Sequence, residues 1–158
     1  MKRFLTLALL VIFCVSGCAS KETAFFYYCR AEYPYETEQS VIVGEKRDIS
    51  GHTGHLDFLI SLYLMGPLDM DYVSPFPTEV KLISTEFKDS NLTISLSEIK
   101  ALSDSEYTLA CACMALTCVE LTNAETVTVN SGSRCVTIDP NMLTLYDSGL
   151  PDDTTTGG

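Results

Sequence analysis

Positive charge is what this sequence has least of. Ten Lys and Arg face 21 Asp and Glu, a formal charge of −11, whereas a reader of the phosphate backbone needs the opposite sign. The balance argues against nucleic acid as a partner. Long apolar runs are missing too: the longest, Phe4 to Val15 (FLTLALLVIFCV), has 12 residues, against the roughly 20 that a helix needs to cross about 30 Å of hydrocarbon. There is no Gly-rich phosphate loop and no nucleophile elbow, so the motif-borne nucleotide and hydrolase chemistries have no foothold. Histidine is limited to His52 and His55.

What is present begins at the N-terminus. Lys2 and Arg3 precede the apolar run, and Ser16 and Gly17 follow it, the layout of a secretory signal peptide. Val15-Ser16-Gly17-Cys18 resembles the bacterial lipobox, in which a diacylglyceryl group is attached to the cysteine and the chain is cut just before it. The expectation is a signal peptide over 1–17, cleavage after Gly17, lipidation of Cys18 and a linker over 18–22. An ordinary signal peptide cut after Ala19 or Ser20 is the competing reading. Two acyl chains anchor stably where one does not, at about 0.8 kcal/mol per buried methylene. The mature body keeps eight Lys and Arg against all 21 acids. It should stand off anionic headgroups and meet the membrane through its lipid alone, on the extracytoplasmic side.

Of 158 residues, 46% are hydrophobic, enough for one core. Cys29, Cys111, Cys113, Cys118 and Cys135 follow the lipid site. Five is an odd number, and three fall in one predicted helix, unlike the even, spread set of a disulfide framework. Cys111 and Cys113 point about 200° apart on a helix and cannot bridge within it. The C-x-C-x4-C spacing also lacks the paired knuckles of a structural zinc site. These thiols are expected to be small apolar packing residues that let the helix approach closely, with Cys29 and Cys135 left as the pair that could bridge.

Along the chain, 23–29 reads as an aromatic-rich strand, 30–38 as a loop, and 39–43 as a strand closed by Gly44. A helix follows over 53–65, ended by Gly66-Pro67. The stretch 67–78 holds three prolines and predicts an irregular loop. Alternation over 79–87 and 92–96 predicts a hairpin, with Asn91 taking the left-handed turn position. Ser103 and Glu106 form a capping box, opening a helix whose apolar face runs Tyr107, Cys111, Met114, Cys118, Leu121, with Asn123 beyond its end. Strands over 126–130 and 134–138 flank a turn at 131–133, and 139–158 is an extension ending in a low-complexity tail. The order β-β-α-β-β-α-β-β predicts an α+β fold: a two-layer sandwich of two amphipathic helices on a mixed or antiparallel sheet.

The ordered set of Gly66-Pro67, Ser74-Pro75-Phe76-Pro77-Thr78, the hairpin from Val80 to Leu96-Ser97, the long second helix and Val127-Thr128-Val129-Asn130 resembles the sporulation and spore germination (GerMN) domain over about residues 23–133. The domain boundary is therefore placed at 23–138. Asn91 stands where members carry a turn glycine, Ser95 where they often carry an acid, and there is one copy of the domain. The resemblance implies a ring-building-motif-like fold and a non-enzymatic role in envelope or spore assembly, with protein partners or self-assembly and no cofactor.

The remaining chemistry is sparse. The imidazoles of His52 and His55, with Asp57 nearby, could share a metal, but no third ligand has a set place, and a solvated helix start accounts for them. Neither a catalytic nor a metal site is predicted, since buried helical cysteines are usually inert. Tyr27, Tyr28, Tyr33, Tyr35, Tyr63, Tyr72 and Phe76 could line a sugar-stacking groove for peptidoglycan, or simply pack. Side-by-side assembly is expected at 126–130 and 134–138, read as edge strands.

Overall fold

The computed structural model describes residues 22–31 and 40–143. The expected signal peptide, Gly17, Cys18, the tyrosines at 33 and 35 and the tail beyond 143 lie outside the described residues.

Strand β1, Thr23–Arg30, buries Ala24, Phe26 and Tyr28, as the two-residue period of a strand requires. It pairs antiparallel with β2, Ile42–Asp48, from Thr23↔Asp48 to Cys29↔Ile42. Gly44 therefore lies inside β2 and does not close it. Opposite Tyr27, a Cβ at Gly44 would come within 3.1 Å of the Phe25 ring and 3.3 Å of the Tyr27 ring. Its glycine makes room for aromatic side chains crossing the strand.

Helix α1, Leu56–Leu64, starts three residues later than the periodicity suggested, because Gly51 (φ +79°) and Gly54 (φ +83°) hold the preceding segment in left-handed turns. Leu59, Ile60, Tyr63 and Leu64 are buried. The helix stops where expected: Gly66 takes φ +99° and donates its N–H to the Tyr63 carbonyl at 3.0 Å. The following loop is not wholly irregular. Tyr72–Val73 forms β3 against Cys29–Arg30, placed between Pro67 and Pro75 where backbone N–H groups remain free to pair.

The hairpin consists of β4, Leu82–Lys88, and β5, Asn91–Leu96, with a bulge at Ile83. Asp89 (φ +49°) and Ser90 (φ +62°) carry the left-handed conformations, as a two-residue type I′ turn demands of both central positions. Asn91 instead opens β5 and donates its side-chain amide to Thr126 Oγ1 at 2.7 Å.

Helix α2, Asp104–Leu121, begins with the expected capping box: Ser103 accepts from the Glu106 N–H while Glu106 accepts from the Ser103 N–H. The Ser103 hydroxyl, donating to Glu106 Oε2 at 2.7 Å, and then the Ser103 N–H hold the Glu106 carboxyl below its ordinary range. Asn123 is not left-handed; Thr122 ends the helix, donating its hydroxyl to the Cys118 carbonyl at 2.7 Å. Strands β6, Thr126–Ser131, and β7, Arg134–Ile138, then form the second hairpin, and Pro140–Met142 adds a 3-10 turn.

The fold is α+β, two helices packed against mixed and antiparallel sheet, with the strands divided into two groups. One sheet runs β2-β1-β3 and is antiparallel; the other runs β4-β5-β6-β7, with β5 and β6 parallel. The parallel pair needs a crossover, and α2 supplies it. On its way α2 passes between the sheets, touching β1 on one side and β6 and β7 on the other. Its burial is consequently broader than the single stripe of the sequence pattern: besides Tyr107, Cys111, Met114 and Cys118, it buries Ala110, Ala112, Cys113, Ala115 and Thr117, while Leu121 is half-buried. A helix contacted from two sides is apolar nearly all round.

Candidate functional site

The Gly66-Pro67 segment is held from below by β1 and β2. The Gly66 carbonyl accepts from Arg47 Nη2 at 2.8 Å and from the Tyr28 hydroxyl at 3.2 Å. Arg47 Nε donates to Glu45 Oε2 at 2.5 Å, and Glu45 Oε1 accepts from the Leu68 and Asp69 N–H groups, each at 2.8 Å. Arg47 is only 5% exposed, and its guanidinium lies over the Phe26 and Tyr28 rings at 5.2 and 5.5 Å. Burial pushes the Tyr28 hydroxyl well up, with Arg47 opposing. The result is a loop with its backbone tied at three points and its side chains outward: Met65, Leu68 and Met70 are 82%, 80% and 93% exposed. Adjacent apolar residues displayed on an ordered backbone offer a contact surface, and they bring no group that could do acid–base or nucleophilic work. Sequence reasoning missed Glu45 and Arg47 because it ended the strand at Gly44. Their i, i+2 spacing, which puts both on one face of a strand, was the available signal.

The cysteines divide across α2. Cys113 faces β1, where its thiol neighbours that of Cys29; Cys111 faces Tyr107 and Cys135. All five described cysteines are free thiols. The Cys29–Cys135 bridge that the sequence left open is not formed, since β1 and β7 pack on opposite sides of the helix. As packing residues the helical thiols behave as anticipated, with Cys111, Cys113 and Cys118 all fully buried. Burial pushes Cys111 up to about 11 and Cys118 well beyond the ordinary thiol value of 9.0. The Cys29 contact first, and burial second, do the same to Cys113. Burial also raises Tyr63 and Tyr107.

In each case the folded chain keeps a proton that the unfolded chain surrenders, above about pH 9 for the thiols and about pH 10 for the tyrosines, so this stability is complete below those values and is lost as pH rises. A series of urea midpoints between about pH 8 and 11 should fall steadily above 9.

The other sequence candidates are not brought together. His52 stacks on Phe58 with ring centroids 4.3 Å apart, and among the described residues no three His, Cys, Asp or Glu side chains converge as a metal site would require. An open depression of about 490 Å³ is lined by Gly54, His55, Leu56, Asp57, Phe58 and Thr85, with Asp57 accepting from the Thr85 hydroxyl across it. Tyr28, Tyr63 and Phe76 are buried against one another, Tyr28 and Tyr63 stacked at 5.0 Å, so they do not line an open groove; Tyr27 and Tyr72 are half-buried. Of the two strands expected at an edge, only β7 is one. β6 is enclosed because its parallel pairing with β5 occupies the side left open by β7. The opposite edge is β4, with Ile83 and Phe87 exposed. No helix among the described residues is long and apolar enough to cross a membrane.

No family model matches the sequence, and no curated protein matches it either. Solved structures do. The tandem GerMN domains of the sporulation protein GerM from Bacillus subtilis align over 76% of this chain with a TM-score of 0.52 and 20% identity. The matched stretch is 42% of that tandem chain, so this chain spans well under two thirds of its length. A protein from Clostridium perfringens described as a candidate lipoprotein aligns over 72% of this chain and 76% of its own, with a TM-score of 0.45 and 16% identity. The fold is thus GerMN-like, as the resemblance of the Gly66-Pro67 to Asn130 segments implied.

Proposed function

We propose that this chain is a lipoprotein tethered through Cys18 to the extracytoplasmic side of the cell membrane, where its GerMN-like domain serves as a non-enzymatic assembly or interaction module of the envelope, in sporulation or germination where the organism forms spores. The carrying observation is a GerMN-like fold that starts at Thr23, with only four residues between it and the cysteine of Val15-Ser16-Gly17-Cys18. So short a linker keeps the domain close to the bilayer, while the acidic body is repelled by anionic headgroups. The module acts by contact, and the apolar loop at Met65 to Met70, tied down by Arg47 and Glu45, is the surface best built for it.

Fractionation and intact mass of the native chain and of Cys18→Ala, expressed in a Gram-positive host, test the anchor. The expected result is a membrane-bound product carrying a diacylglyceryl adduct, released into the medium by the substitution, because two acyl chains supply essentially all of the membrane affinity. A native product that is secreted and cut after Ala19 or Ser20 would refute the lipid anchor. A deletion strain that sporulates and germinates normally would remove the physiological half of the proposal.

A further inference from the structure

Two thiols with no role in the contact surface described above meet where β1 packs on α2. The register of that contact is set by one bond, in which Thr117 Oγ1 accepts from the Tyr27 N–H at 2.9 Å. Ordinary bond lengths then hold the two Cα atoms within about 7 Å, close to the upper end of the separation that disulfides span. One helical turn before Thr117 is Cys113, whose carbonyl accepts the Thr117 hydroxyl at 2.9 Å. Two residues beyond Tyr27 on β1 is Cys29. Four helical residues advance about 6 Å and two strand residues about 6.7 Å. The offsets match, and Cys29 stands opposite Cys113, close enough for each thiol to perturb the other. Cys113 is fully enclosed and Cys29 is half-buried, so only Cys29 is open to a reagent. Cys111 and Cys135 lie on the far side of the helix.

We propose that Cys29 and Cys113 form a dithiol site for low-molecular-weight disulfides, and that its reaction closes a covalent cross-link between β1 and α2. The Cys29 thiolate attacks one sulfur of the disulfide RSSR, whose S–S bond breaks and releases RS⁻. The mixed disulfide Cys29–S–SR is then attacked by Cys113, whose proton passes to the released thiolate, and the second RS⁻ departs and takes up the proton first lost from Cys29. Overall, two protein thiols and one RSSR become one protein disulfide and two RSH, a two-electron oxidation of the protein. The contact with Cys113 favours the attacking state, since it draws the Cys29 thiol below its ordinary value.

The test uses the full chain carrying Cys135→Ser, which removes the exposed competitor thiol. The reduced protein is treated with oxidised glutathione, quenched with N-ethylmaleimide, and analysed by intact mass and peptide mapping, which separates Cys29 from Cys14 and Cys18. The expected product has Cys29 linked to the 101–134 peptide with no glutathione retained on Cys29. Adding Cys113→Ala should stop the reaction at one glutathione on Cys29, whereas adding Cys111→Ala should leave the linkage intact. Adding Cys29→Ser, at a half-buried position, should abolish the linkage. A glutathione adduct that persists on Cys29 with Cys113 present would overturn the proposal, as would a linkage surviving Cys113→Ala or a Cys29 inert to glutathione. None of these outcomes depends on where the protein resides in the cell.

Discussion

Arg47→Ala should be the most damaging single substitution in the domain, lowering unfolding stability by about 3–5 kcal/mol. The side chain is 5% exposed and its partner Glu45 is 11% exposed, so truncation leaves a carboxylate with little water and no counter-charge. It also strips the Gly66 carbonyl of its 2.8 Å donor and uncovers the Phe26 and Tyr28 rings. For a domain whose whole stability is of order 5–15 kcal/mol, this is a large share. Urea denaturation of the variant measures the loss. A Glu45→Gln, Arg47→Met double variant should recover part of it, because removing both charges abolishes the unpaired one. The same substitutions bear on the proposed contact surface. Glu45 is what fixes the Leu68 and Asp69 amides, so amide exchange in that loop should quicken in either variant. A loss below about 1 kcal/mol for Arg47→Ala would mean that the charges find solvent on truncation and that the loop is not held from beneath.

The second large effect is expected at Ile94. It is fully buried on β5, flanked by Val129 on β6 and Thr85 on β4. Ile94→Ala should cost about 2–5 kcal/mol, the transfer of the lost methyl groups plus the cavity they leave. Ile83, 68% exposed at the bulge of β4, is the internal control; Ile83→Ala should stay within about 0.5 kcal/mol. Urea midpoints of the two variants decide the point. Equal losses would place the core elsewhere than between this sheet and the helices.

The elements most legible in the sequence were those specified by short-range physics. The capping box at Ser103 and Glu106, the Gly66-Pro67 helix stop, and the alternation of 92–96 and 134–138 each depend on residues within a few positions of one another. All appear in the fold as expected. The GerMN-like arrangement was readable for the same reason, because several such local signals recur in a particular order. The misplacements lie where a distant partner intervened. Gly44 reads as punctuation until the Phe25 and Tyr27 rings are seen to need its missing Cβ. Tyr72–Val73 reads as loop until β1 offers it an edge.

Composition, charge, the lipobox-like tetrad and the local turn and cap signals were determined by the sequence by itself, since each is a property of the chain or of a few neighbouring residues. Only the tertiary structure decided which thiols face each other, which strand is an edge and what holds the Gly66 loop. Those depend on the crossover of α2 between two sheets, a long-range arrangement that turns a helix with one apparent apolar stripe into one buried on both sides. Periodicity records how much of a helix is apolar; it carries no information on which distant strand lies against each face, and that pairing is what sets Cys29 against Cys113 and separates it from Cys135.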